Sequence, residues 1–358
     1  MIWLTLRQFR LQALVALGAL AAVAALLAFT HVDLADDYTN GIRACGGGDG
    51  CERFRLDFFN EHQTWFTTLV AVVVGLPALV GAFWGAPLIT REIEAGTHRL
   101  AWNQSVSRTR WLAVKLGVVG LASMAAAGLA VAAATWWSDP LDKAATDRFP
   151  RLAPLMFDAR GIAPIGYAAF AFVLGVTAGV LVRRTLPAMA ITLAVFAGLQ
   201  FAVPNMVRPH LMTPEERTVT ITSENMRGIS LSDTSLTVSA RVDDPGAWVL
   251  SDYTVDPSGR KVKSLPVSLA SGACAPPPPR AAETGGERPD GKRVADESGR
   301  GPAEKCYAEI ARLGYRQHVT YHPANRFWTL QWAETGLFAL LSAGLTGFCF
   351  YWVRRRLS

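Results

Sequence analysis

Charge is scarce in this chain: of its 358 residues only 18% are Asp, Glu, Lys or Arg against 51% hydrophobic, a balance that excludes an ordinary water-exposed globule. Catalytic motifs are missing as well. No Gly-x-x-x-x-Gly-Lys-Ser/Thr phosphate loop occurs, and the long apolar runs hold no paired Asp, no Ser with His and no His-Glu-x-x-His, so neither ATP hydrolysis nor intramembrane proteolysis is expected of the chain itself. The six His are scattered, with none near a cysteine pair at zinc-finger spacing, so no metal site is expected. The chain reads as a non-enzyme that binds no cofactor directly.

What is present is apolar sequence in long runs. A helix needs about 20 such residues to cross about 30 Å of hydrocarbon. Six runs qualify, at roughly residues 11–30, 65–88, 112–137, 161–182, 185–203 and 329–353, separated by loops rich in Asp, Arg, Pro and Gly. Arg7 and Arg10 ahead of the first run also describe a secretory signal. Leu11 to Thr30 exceeds the usual apolar region of about 7–15 residues, however, and His31-Val32-Asp33 offers no small-x-small cleavage site, so a retained helix is expected. Residues 1–11 read either as a helix lying in the membrane interface or as the start of the first span.

Basic residues orient the spans. A cytoplasmic N-terminus places twelve inside (Arg7, Arg10, Arg91, Arg99, Arg108, Arg110, Lys115, Arg183, Arg184, Arg354, Arg355, Arg356) against seven in the short outer loops (Arg43, Arg53, Arg55, Lys143, Arg148, Arg151, Arg160). The expected fold is an all-α polytopic protein of the cell (cytoplasmic) membrane, with six transmembrane helices, both termini cytoplasmic, and a strand-containing outer segment between helices five and six. The net charge of +6 is then a topology signal, and no nucleic-acid partner is expected. Of five cysteines, Cys45, Cys51, Cys274 and Cys306 fall outside, which suits an oxidising compartment. The expected bridges are Cys45 with Cys51 and Cys274 with Cys306; free thiols are the alternative, and four cysteines allow three pairings that sequence does not distinguish.

The chain divides into residues 1–203, with five spans and a cytoplasmic loop at 89–111; an outer segment, 204–328; and the last span with its basic tail, 329–358. In the outer segment Thr218 to Thr222 and Ser235 to Val242 alternate as strands do, Asp243 to Gly246 forms a turn before Trp248-Val249-Leu250, residues 275–303 lack apolar anchors, and Ala303 to Leu313 reads as a helix. The second span carries Pro77, Pro87 and the pair Gly81 and Gly85; the fourth carries Gly175 and Gly179 at the same spacing, which permits close helix approach. Arg183-Arg184-Thr185, with Pro187 beyond, joins spans four and five in a tight hairpin. Lys115 and Glu334, near span ends, read as side chains snorkelling to the interface. Ion-coupled transport, which needs broken helices and buried charge, is therefore disfavoured.

The loop Pro87 to Trp111 mixes acidic, small and basic groups around a short helix. Gly96-Thr97 offers a break, and Ser107 a cap for the third span with Arg108 at the interface. Composition fits both docking onto a soluble subunit and a plain solvated connector. The pattern Arg91-Glu92-x-x-x-Gly96-Thr97 followed by the serine and arginine at Ser107 and Arg108, the Arg183 to Pro187 hairpin, Pro323 to Trp328 and the terminal Arg354-Arg355-Arg356 together resemble ABC-2 type transporter permeases, the membrane subunits of ATP-binding-cassette exporters. The resemblance implies a coupling helix within Arg91 to Arg110, including Arg99 and Arg108, seated on a partner ATPase, with Glu92 and Glu94 as acidic contacts and Gly96 and Thr97 shaping the bend. It implies two permease chains, identical or different, with ATP reaching the complex through the ATPase. It also implies a pathway from spans two and five, for which Phe83, Trp84, Phe196 and Phe201 are the candidate lining. The rival reading is a non-transporting sensor or scaffold whose outer segment binds a ligand.

Overall fold

The computed structural model describes residues 2–47, 49–96, 107–145, 150–222, 225–232, 235–240, 242–263, 265, 274 and 302–356. They form two units, Met1–Thr213 with Asn325–Ser358, and Pro214–Ala324. Among the described residues six helices are long and apolar enough to cross a membrane, so this is a multi-pass membrane protein with a mostly helical fold.

The first unit begins with α1 (Ile2–Ala44), whose 43 residues extend about 65 Å, roughly twice the hydrocarbon thickness. No break sets residues 2–11 apart, so a separate N-terminal helix is replaced by one continuous rod. α2 (Asp49–Val80) returns beside it after Gly46 and Gly47, whose φ of +67° and +90° suits glycine. Cys45 and Cys51 are disulfide-bonded there, with Cα atoms 4.9 Å apart. Residues 31–44 and 49–64 are thus helical rather than part of the loop their charge leads one to expect. Leu34, Phe58 and Phe59 are buried together with Tyr38 and Phe54 packed against them, and this stripe holds the helices paired beyond their apolar runs.

α2 widens into a π-helical turn at Gly81–Gly85 and resumes as α3 (Ala86–Glu94). Pro87 supplies no N–H to the Phe83 carbonyl, which instead accepts from Gln12 Nε2 at 3.5 Å. Then follow α4 (Arg108–Trp137), the short α5 (Asp139–Ala144) and α6 (Pro154–Asp158), α7 (Ala163–Val182), α8 (Thr185–Ala202) and, after the second unit, α10 (Phe327–Arg355). α7 carries no charged residue and is buried nearly all round, packing on α2, α3, α4, α8 and α10, as expected of a helix apolar on every face. The two glycine pairs meet there. A Cβ at Gly81 would lie 2.5 Å from the Ala171 carbonyl, one at Gly179 would lie 2.8 Å from the Ala86 carbonyl, and one at Gly175 would overlap the Gly81 carbonyl. The seam therefore brings backbone against backbone, which only glycine permits.

The second unit holds an antiparallel sheet of β1 (Glu215–Thr220), β6 (Arg316–His322), β4 (Trp248–Val255) and β5 (Lys261–Val262) in that order. A separate hairpin pairs β2 (Met226–Ser232) with β3 (Ser235–Ala240), and α9 (Pro302–Arg312) precedes β6. The strand signals near 218, 235 and 248 thus correspond to β1, β3 and β4, and the turn before β4 closes through Gly246 at φ +86°. β6, unforeseen from the sequence, is central: Gln317, Val319 and Tyr321 alternate inward, with Gln317 accepting from the Thr254 hydroxyl at 3.0 Å. Cys274 and Cys306 are bonded with Cα atoms 4.5 Å apart. Most of the 275–303 segment lies outside the described residues.

Candidate functional site

α3 stands at the end of the membrane unit where the 89–111 segment begins. Ile89 and Thr90 are fully buried while Arg91 and Glu94 are exposed, so one face of α3 grips the bundle and the other is free. Glu92 accepts from Lys115 Nζ on α4 at 2.5 Å. Lys115 also lies 5.1 Å from the Trp111 ring centroid and is only 4% exposed, so it does not snorkel; α3 brings the counter-charge to it. Glu94 accepts from the Thr185 backbone N–H at 2.9 Å and from its hydroxyl at 2.6 Å. It thereby caps the positive end of α8 from another helix, and the Thr185 hydroxyl also lies 3.0 Å from Thr90 Oγ1. The hairpin that presents Thr185 turns through Arg183 at φ +58°.

The free edge of this end is punctuated by two caps. α3 stops at Gly96, whose φ of +67° is the usual left-handed close of a helix. α4 starts at Ser107, whose hydroxyl accepts from the Arg110 N–H at 3.3 Å, with Arg108 as its first helical residue. Thr97 and Arg99 lie outside the described residues. A cleft of about 250 Å³ opens between α1, α3 and α4, lined by Phe9, Gln12, Leu88, Arg91, Glu92 and Lys115 among others.

Of the four aromatic residues expected as pathway lining, two are exposed and two pack within the bundle. Phe83 and Phe201 are 52% and 75% exposed on the unit's surface. Phe196 is buried, and Trp84 packs edge-on against Phe9 at 4.9 Å, so these two serve the bundle's own packing.

At the opposite end lies a charge cluster that the sequence did not announce. After α8 a π-helical turn, Val203–Val207, leads into a 3-10 turn at Arg208–His210. Each residue of phase is worth about 100° around a helix, so the wider turn re-aims Arg208 inward, where it is fully buried. Its Nε donates to Glu334 Oε2 of α10 at 2.6 Å, its Nη2 donates to Glu334 Oε1 at 2.9 Å and to Asp158 Oδ1 of α6, and its guanidinium stacks 4.0 Å from the Phe157 ring centroid. The Tyr167 hydroxyl on α7 donates to Glu334 Oε1 at 2.6 Å, and Gln200 Nε2 donates to Asp158 Oδ2 at 3.0 Å. Burial pushes the Asp158 carboxyl up to about 6 against the pull of Arg208. Glu334, expected to snorkel, is instead 0% exposed and holds this guanidinium. One turn before Glu334 on α10, the Gln331 Oε1 accepts from the Ile162 and Ala163 N–H groups at 2.9 and 2.7 Å, capping α7. The spans are therefore not empty of buried charge. No spacing in the sequence could have shown this, because Arg208 and Glu334 are 126 residues apart.

A model of the ABC-2 membrane transporter related family matches residues 17–208, more than half of the chain. The chain belongs to that family. No curated protein and no solved structure matches it. For an ABC-2 membrane component, an ABC ATPase partner is implied in general. The matched segment runs from the first span to Arg208, so it takes in the α3 end, the glycine seam, Asp158 and Tyr167, while Glu334 and the second unit lie beyond it.

Proposed function

We propose that this ABC-2 chain is the permease subunit of an exporter in the cytoplasmic membrane, with both termini and the α3 end cytoplasmic and a separate ATPase docked on the 89–111 segment. The chain supplies pathway and gate; the ATPase binds and hydrolyses ATP. The observation that carries this reading is the way α3 is held. Its outer face ends in exposed Arg91, Ala95 and Gly96, while its inner face is locked to α7 by backbone contact, to α4 by Glu92–Lys115 and to α8 by Glu94–Thr185. A push on its free end is then transmitted to three spans as a rigid-body shift. Nucleotide-driven closure of the ATPase would bias the inward and outward states through that lever, by the difference in its affinity for them.

The working unit is a pair of permease chains with two ATPases, and the pathway lies between the chains, on the exposed faces of the π-helical turn after α2 and of α8 that carry Phe83 and Phe201. Cross-linking tests the docking. A thiol at Ala95, exposed at the end of α3, should join to the co-purified ATPase and should stay unlabelled by an impermeant reagent on intact cells. Labelling from outside would overturn the orientation. Glu92→Ala combined with Glu94→Ala should lower ATPase stimulation, and unchanged assembly and stimulation would remove the coupling role.

A further inference from the structure

A second cleft, of about 490 Å³, opens at the end of the membrane unit remote from α3. Its floor is a groove on α4: Gly128, then Val131 and Ala132, then Thr135 and Trp136, at helical spacing. The eight helical steps from Gly128 to Trp136 make that groove about 12 Å long, running from the bilayer interface toward its apolar interior. Its mouth carries Arg151, Trp136 and, from α10, Trp328, with both indoles at least half exposed. Trp rings at this level mark the headgroup boundary.

The charges at the mouth are unequal. Of the lining residues, Asp142 and Arg160 neutralise each other, with Nη2 to Oδ1 at 3.3 Å, and Arg160 Nη2 also donates to Ser138 Oγ at 2.7 Å. Arg151 is exposed, and among the described residues it has no hydrogen-bonding or ionic partner. The lining is thus apolar along its length and carries one unbalanced positive charge at its wet end. Such a site recognises a molecule with one negative charge and one apolar tail.

We propose that this cleft binds a monoanionic phospholipid of the surrounding bilayer, its phosphodiester on Arg151 between Trp136 and Trp328 and one acyl chain in the Gly128 groove. A single guanidinium matches a single phosphodiester, and a zwitterionic headgroup would leave the charge of Arg151 only partly answered. Gly128 keeps the groove open, since a Cβ there meets only Ile165, at 3.5 Å. The inference stands independently of the transport reading.

Native mass spectrometry of the full chain tests it, after delipidation and with phosphatidylglycerol and phosphatidylcholine added in equal amounts. One retained phosphatidylglycerol per chain is expected, in excess over phosphatidylcholine. Arg151→Ala should cut that excess about fivefold, Arg151→Lys should keep most of it, and Gly128→Leu should lower retention of both lipids by filling the groove. Equal retention of the two lipids by the native chain would overturn the proposal, as would an unchanged preference in Arg151→Ala. Should Arg151→Ala not be recovered folded, Gly128→Leu decides: undiminished retention in a folded variant refutes the site.

Discussion

The two ends of the membrane unit handle buried charge in opposite ways. At the α3 end each acid has its own partner at the edge of the bundle: Glu92 meets Lys115 and Glu94 meets the start of α8. At the far end one guanidinium serves two carboxylates with all three groups out of solvent, Tyr167 donates to Glu334 as well, and Gln200 donates to the remaining oxygen of Asp158. The first arrangement can be remade if α3 moves, because water is near. The second cannot be opened without exposing or stranding charge, so it fixes α6, α7, α8 and α10 as one block.

That contrast predicts a ranking of effects. Arg208→Met strands two carboxylates and should cost about 3–5 kcal/mol, seen as a large loss of thermal stability in detergent. Adding Asp158→Asn and Glu334→Gln to it should recover most of the loss, and failure to recover would show that packing rather than charge makes the cluster important. Gly175→Val, which overfills the backbone seam against Gly81, should cost about 1–3 kcal/mol. Lys115→Met should cost less than Arg208→Met, about 1–2 kcal/mol, because Glu92 keeps access to water; an equal loss would erase the distinction between the ends. Ser107→Ala, a cap alone, should cost about 1 kcal/mol.

Titration sharpens the same comparison. Asp158 has a folded-state pKa of about 6, above its ordinary value of 3.8. The folded state therefore binds the extra proton, so this group's contribution to stability is fully present below about pH 4 and is lost as pH rises through about 6. The unfolding midpoint should fall over that window, and Asp158→Asn should flatten the slope. An unchanged slope in the variant would assign the pH dependence elsewhere.

Much of the membrane architecture was legible because lipid enforces it residue by residue. Runs such as Ala163–Val182 announce a span by composition alone, and Gly81, Gly85, Gly175 and Gly179 announce close approach by spacing. The caps at Gly96 and Ser107 were legible for the same local reason. Charge misleads where its meaning depends on a distant neighbour: Lys115 and Glu334 look bound for water, and the charged stretch between the first two apolar runs, 31–64, looks like a loop. Its stripe of Leu34, Tyr38, Phe54 and Phe58 becomes visible as a stripe only once α1 and α2 lie side by side.

Sequence by itself determined the six spans, the family and the glycine positions, since each follows from side-chain chemistry over a few helical turns. Tertiary structure alone decided which glycine pair faces which, that Glu94 caps α8, and that Arg208 lies between Asp158 and Glu334. Those outcomes depend on phase and distance between segments far apart in the chain, and a π-helical turn that shifts phase leaves no pattern that local periodicity can read.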